Sequence, residues 1–349
     1  MRFLWPLMAL FLVMAPASVH AQWVTASTAT TAEFRSLHAP RPAVLWAGGR
    51  GGVVARSVDG GQRFTVDTIP TAAELFIVGI YGADSTTAHA LATSFDGGLA
   101  RIYRTRDGGR SWETRYEDRR PGVFMDALAC WDVSRCLAFG DPVDGTFVVA
   151  RTTDAGESWS RLSAERLPAP LAGEAGFAAS GRALVTGPDG TAWFGTGGGD
   201  RARVYRTDDY GDSWSVHDTP LAGSATAGIF ALAFREDGQR GLAVGGNYEL
   251  RAEAHPTVLA TSDGGRTWQL REGRTPLPGV RYGVTAGEWN GAFAWITTGP
   301  SGTLYSSDGQ TWHGISETGY NTVVAVNGMT FAAGPDGALA RSSRGRIVR

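Results

Sequence analysis

Ten residues of types that bind or transform a substrate fall in or beside the long polar stretches of this chain: Asp141, Glu174, Asp200, Arg203, Tyr248, Glu249, Arg251, His255, Arg281 and Tyr282. Carboxylates offer acid and base chemistry, arginine forks hold a carboxylate through two parallel hydrogen bonds, and tyrosine adds a polar tip to an aromatic face. Three stretches carry most of them: DPVDG from Asp141, GGGDRAR from Gly197 and GNYELRAEAHP from Gly246. RLPAPLAGEAG and TPLPGVRYG run beside them. Each residue also has a plain structural reading. Asp141 before Pro142 can start a turn, Glu174 can pair with a nearby arginine, and His255 before Pro256 can be a solvated loop residue. The histidines are scattered without ligand spacing, so no metal site is expected. GTGGGDRAR lies between strands and not ahead of a helix, so neither a dinucleotide site nor any other cofactor is expected.

The elements that must position these residues are set by an internal repeat. SVDGGQRF, TRDGGRSW, TTDAGESW, TDDYGDSW, TSDGGRTW and a shortened SSDGQTW place Asp59, Asp107, Asp154, Asp209, Asp263 and Asp308 at intervals of 48, 47, 55, 54 and 45 residues. Before each stand two β-rich runs, such as CLAFGD and VVART. The aromatic that ends each box opens another, and a further run leads to the next unit. Apolar residues come in runs of four to six bounded by Gly, Asp and Pro, without a 3.6-residue period, so the units are strands. Four short strands every 45 to 55 residues describe a propeller blade. In each box the Asp is expected to accept backbone N–H groups two residues on, with a glycine at positive φ beside it, while the terminal Trp or Phe packs between sheets. Six equivalent acids around a ring serve no single substrate, so the boxes are structural.

A seventh unit (NTVVAVNG, MTFAAGP, GALARSS) lacks both its box, where Arg344 stands, and a convincing fourth strand. QWVTAS from Gln22 has the alternation of an outer strand. The expected fold is all-β: a seven-bladed β-propeller with Asp-box turns, its ring closed by the N-terminal strand, which removes the exposed sheet edge. Six blades with an appended final unit is the alternative.

Gly 48 and Trp 12 with only 19% charged residues suit tight turns and doubly buried sheets, and disorder is not expected. All 32 basic residues are arginine and the formal net charge is −2, which favours neither nucleic acid nor a membrane surface as partner. Arg2, an apolar run over 3–15 and Val19-His20-Ala21 form a signal-peptide pattern, with cleavage expected after Ala21. Residues 1–21 are then the signal peptide and 22–349 one propeller domain, periplasmic or secreted, with no membrane insertion after processing. A retained anchor is the competing reading. Cys130 and Cys136 flank WDVSR across a hairpin, where an oxidising compartment would join them. A redox-active pair is the alternative, although the spacing is not CxxC.

The boxes resemble the BNR or Asp-box repeat shared by sialidases, sortilin-type receptors and propellers similar to the photosystem II stability and assembly factor. EFRSLHAP, DPVDGTFVVARTTDAGESW, GEAGFAASG, TGGGDRARVYRTDDYGDSW and GIFALAFRE resemble the bacterial, non-photosynthetic branch of the assembly-factor group across nearly all of the mature chain. That resemblance implies an exported scaffold without catalysis of its own that binds a protein in the cell envelope. The sialidase resemblance implies instead a glycoside hydrolase acting on an extracytoplasmic glycan. Its set would be Arg35, Glu174, Arg281 and Tyr282, with arginines on the substrate carboxylate and tyrosine activated by glutamate as nucleophile. Arg35 lies near the position of the family's FRIP arginine, but Ser36 and Leu37 replace its Ile and Pro.

Overall fold

Runs such as Val44–Gly49, Ala88–Thr93 and Ala192–Gly195 are buried at every position, as strands covered on both faces must be. The computed structural model describes residues 23–253, 257–271 and 277–342. They form seven antiparallel four-stranded sheets. The innermost strands, Phe34–Arg41, Phe76–Gly82, Met125–Cys130, Leu184–Thr186, Ala227–Phe234, Gly283–Trp289 and Thr322–Val326, follow one another around an axis. The last returns beside the first. This is a seven-bladed β-propeller, so the six-bladed alternative falls. Among the described residues the helical turns are three short 3-10 segments, and no helix is long and apolar enough to cross a membrane.

Ring closure uses the N-terminal segment. Trp23–Ala26 pairs antiparallel with Leu339–Ser342, with Trp23 opposite Ser342 and Ala26 opposite Leu339, and supplies the missing outer strand of blade seven. Residues 1–21 with the expected cleavage point, Gln22, His255 and Arg344 lie outside the described residues.

The repeated aspartates brace the turns between third and fourth strands. In blade two the Thr105 hydroxyl donates to Asp107 Oδ1 (2.9 Å) and accepts the Gly109 N–H (3.0 Å). Asp107 in turn accepts the N–H (3.0 Å) and hydroxyl (2.6 Å) of Ser111. The same bonds recur at Asp154 and Asp209. In blades one to five the accepted N–H groups lie three or four residues beyond the Asp, farther than the two expected, because the two residues after it, Gly108 and Gly109 in blade two, both take positive φ and widen the loop; in the shortened turn of blade six Asp308 does accept the N–H two residues on, from Gln310 (2.8 Å). Trp159, Trp214, Trp268 and Trp312 then turn inward and are buried between blades. Aromatic stacking ties adjacent blades: Phe139 of blade three lies 4.1 Å from Phe194 of blade four, and Trp193 lies 3.7 Å from Phe234 of blade five. Each such pair contributes about 0.5–1.5 kcal/mol beyond burial.

Cys130 and Cys136 are directly opposed between the first two strands of blade three and form a disulfide. The reading of Asp141 as a turn initiator is corrected. Cys136–Val143 continues past it as one strand, and the hairpin turns at Asp144, with φ +58°, and Gly145. Pro142 is accommodated because the register shifts between Gly140 and Pro142, a bulge that tolerates its missing N–H.

Candidate functional site

The face opposite the aspartate turns carries the turns between second and third strands and the crossings between blades, and these enclose an axial cleft of about 630 Å3. Arg35 enters from the first strand of blade one and Phe95 from the turn between second and third strands of blade two. Phe177 and Ala178 come from the crossing between blades three and four, and Phe230 from the innermost strand of blade five. Tyr248 and Arg251 stand on that blade's long loop. Tyr282 immediately precedes the first strand of blade six, and Tyr320 lies on the crossing to blade seven.

One wall is aromatic. Phe177 lies 4.6 Å from Phe230 and 6.2 Å from Tyr248, and Phe230 lies 6.1 Å from Tyr282. Phe177 fits because Gly197 and Gly228, paired across the boundary of blades four and five, carry no side chain: a Cβ on either would come within 3 Å of its ring. The glycine run thus seats an aromatic ring. Charged groups line the same cleft. Arg35 Nε donates to Glu33 Oε1 (2.9 Å), its Nη1 reaches the Ala178 carbonyl (3.4 Å), and its guanidinium lies 5.0 Å above the Phe76 ring. Asn321 Nδ2 donates to the same Glu33 oxygen (3.2 Å), and Arg251 Nε donates to the Tyr248 carbonyl (3.0 Å). Burial pushes the Tyr282 phenol above its ordinary value, Arg251 and Arg35 pull it down, and Glu33 pushes it up. The net rise favours a neutral hydroxyl over a phenolate nucleophile. The arrangement offers π-faces for apolar side chains and two guanidinium groups for a carboxylate or carbonyl.

Of the residues singled out in the sequence, Arg35, Tyr248, Arg251 and Tyr282 meet in this cleft. The others do not. Glu174 and Arg203 form a buried ion pair in which Glu174 also accepts the Leu171 N–H (2.7 Å) and the Thr196 hydroxyl (2.6 Å). The glutamate expected to activate Tyr282 is therefore engaged by Arg203; the carboxylate whose charge acts on that phenol is Glu33. Arg281 points away from the cleft and donates to the carbonyls of Gly302 (2.9 Å) and Pro278 (2.7 Å). Asp141 faces the interior, accepts the Gly176 N–H (2.7 Å), and is raised to about 6 by burial. Beside it Asp126 is buried with both carboxyl oxygens unpartnered, and its value is raised well above the ordinary range by burial and by Asp141. Asp200 is exposed beside Arg201, and Glu249 is exposed on the loop. Sequence reasoning missed Glu33, Phe95, Phe177, Phe230 and Tyr320. Their available signal was position, since several sit on the crossings or at the starts of innermost strands. Among the described residues no group of three or more His, Cys, Asp or Glu is placed to hold a metal ion.

No family model matches the chain. It is 28% identical over 232 residues to the photosystem II assembly lipoprotein Ycf48 of Synechococcus sp. (strain CC9902); the match takes in 64% of this chain and 57% of that protein. Among solved structures it is similar to Ycf48 bound to D1 peptide (TM-score 0.62, 15% identity, 94% of this chain and 96% of that one). Ycf48 from Cyanidioschyzon merolae gives a TM-score of 0.62 at 15% identity, covering 92% and 99%. U3-55K gives 0.59 at 12%, covering 92% and 98%. The structural likenesses carry the propeller fold, and the sequence likeness adds that this chain is similar over 232 residues to a photosystem II assembly lipoprotein.

Proposed function

We propose that this chain is an exported, non-catalytic binding propeller of the assembly-factor kind, which holds a segment of a protein partner in the axial cleft. The observation that carries the reading is the cleft's composition: the aromatic residues Phe177, Phe230, Tyr248 and Tyr282 share the cleft with Arg35 and Arg251, a surface suited to an extended peptide with apolar and acidic groups. The sequence likeness to an assembly lipoprotein and the fold shared with a propeller bound to a peptide support it. Within this reading the six aspartate turns are Asp-box repeats, and the chain stands with the bacterial, non-photosynthetic relatives of the assembly factor. Residues 1–21 are a signal peptide removed after Ala21, and 22–349 form one propeller domain in the periplasm or outside the cell. The Cys130–Cys136 disulfide fits an oxidising compartment.

The test places a photo-reactive amino acid at Phe95, whose side chain is exposed at the cleft rim, and cross-links in the envelope of the parent cell. A discrete protein adduct that disappears in Arg35→Glu supports the reading. An adduct pattern indifferent to Arg35→Glu, or turnover of chromogenic glycosides by the purified protein, refutes it.

A further inference from the structure

Below the cleft the axis of the ring holds a cation that no described carboxylate offsets. Arg182 lies just before the first strand of blade four, next to Gly181. Gly181 takes φ +68°, and a Cβ on it would stand 2.9 Å from the Val78 carbonyl oxygen and 3.1 Å from Ser36 Cβ. Ser36 and Val78 belong to the innermost strands of blades one and two. In a ring of seven, blades one and four stand three places apart, so a contact between them crosses the axis. The bond from Arg35 to the Ala178 carbonyl makes the same crossing nearer the cleft. The Arg182 charge also acts on His38 of blade one, helping burial to hold that imidazole down at about 4. Arg182, next to Gly181, and His38, two residues beyond Ser36 on the same strand, therefore flank the contact that Gly181 makes across the hub with Ser36 and Val78.

Both present unengaged donors. His38 Nδ1 accepts the Gly82 N–H (3.2 Å), which leaves the proton of the neutral ring on Nε2, and that N–H has no hydrogen bond among the described residues. Tyr81 packs on the ring at 4.6 Å. Among the described residues the Arg182 side chain has neither an ion pair nor a hydrogen bond, and its Nε is buried without a partner. Burial lowers its value to about 10. The chain's buried arginines are engaged: Arg281 reaches two carbonyls, and Arg104 and Arg203 meet glutamates. Arg182 is only half-buried, so its other two guanidinium nitrogens face open space at the hub that an anion can enter.

We propose that the hub of the propeller binds a small monoanion, a halide or a carboxylate of formate size, between the Arg182 guanidinium and the His38 Nε2–H. One fixed positive charge beside a neutral imidazole selects a single negative charge, and the contact of Gly181 with Ser36 and Val78 limits its size.

The test is thermal unfolding of the mature chain while chloride, or separately formate, replaces gluconate at constant ionic strength. Saturable stabilisation is expected, about 4 °C at a hundredfold excess over Kd. A response to chloride alone assigns a halide, and a response to formate alone assigns a carboxylate. Arg182→Met should lose the response. If that variant does not fold, bromide anomalous scattering from wild-type crystals supplies the second readout, with a peak expected beside Arg182. A wild-type melting curve indifferent to both anions, a response retained in Arg182→Met, or crystals in which the stabilising anion (bromide for a chloride response, formate for a formate response) lies only away from Arg182 overturns the proposal.

Discussion

Replacing Glu174 by glutamine separates a structural role from a catalytic one. The Glu174 side chain is fully buried and that of Arg203 is 7% exposed, so the pair interacts with little solvent screening. Arg203 Nε donates to Oε1 (3.0 Å), Nη2 donates to Oε2, and Nη2 also reaches the Ala169 carbonyl (3.0 Å) and the Tyr205 hydroxyl (2.6 Å). Glutamine keeps the shape and removes the charge, leaving a buried guanidinium facing an amide. Breaking a buried pair from one side costs about 3–5 kcal/mol. With an unfolding entropy of about 2.1 cal/mol/K per residue, that lowers Tm by about 4–7 °C for a domain of this length. Guanidinium titration followed by circular dichroism at pH 7 measures the loss directly. The double variant Glu174→Leu with Arg203→Met should recover most of it, since removing both charges avoids the unpaired one. A Glu174→Gln protein within about 1 kcal/mol of wild type, or a double variant less stable than the single one, refutes this account. The crossing that bears Phe177 is pinned by the same pair through Leu171 and Ala169, so Glu174→Gln should also weaken whatever the cleft holds.

Two further outcomes follow from backbone and buried charge. Ala155, with φ +61°, occupies the position that Gly60, Gly108 and Gly264 fill in other aspartate turns, so Ala155→Gly should raise stability by about 1 kcal/mol in denaturant titration. A loss would show that its methyl packs usefully. Tyr210, at the equivalent position with φ +59°, should not gain from the same change, because its ring holds the Arg135 guanidinium at 4.0 Å and Trp131 at 5.2 Å. Asp126→Asn should raise Tm at pH 8 and leave it nearly unchanged at pH 4. Asp141, raised from 3.8 to about 6, gives stability that is complete below pH 3.8 and is lost as pH climbs through 6, and Asp126, raised well above its ordinary value by burial and by Asp141, likewise stabilises at low pH and loses that contribution as pH rises. His38 and His89, lowered from 6.5 to about 4, give stability that is present above pH 6.5 and lost as pH falls through 4. That acid limb should survive the substitution, and an unchanged alkaline limb would sink the reading.

The repeat made the architecture legible because each blade solves the same local problem. Asp107, Asp154 and Asp209 accept the N–H and hydroxyl of a residue four positions on, so a short window of sequence contains the whole device. Even closure by Trp23–Ala26 was readable, since blade seven lacked an outer strand and the N-terminus offered one. The cleft was less legible because its residues come from different repeats. Phe177 and Phe230 look like core aromatics in a linear reading, and only the meeting of Gly197 with Gly228 turns one of them toward the axis. Glu174 and Arg203 stand 29 residues apart, so no local pattern shows that each satisfies the other.

A propeller divides its physics between rim and hub, and this division decides which residues remain available to a partner. Around the rim, turns are braced by neighbours in sequence and their acids are satisfied: Asp154 and Asp263, held by hydrogen bonds, fall to about 2. Toward the axis, strands from opposite blades meet without sharing a backbone ladder, and side-chain polar groups must find partners across the ring or remain without one. Among the described residues the Asp126 carboxyl and the Arg182 Nε remain without one, while Arg35 reaches from blade one to Ala178. Along the axis, beneath and within the cleft, some of these groups keep unused bonding capacity. A partner segment entering there meets guanidinium groups already held in place, with little side-chain ordering left to oppose binding.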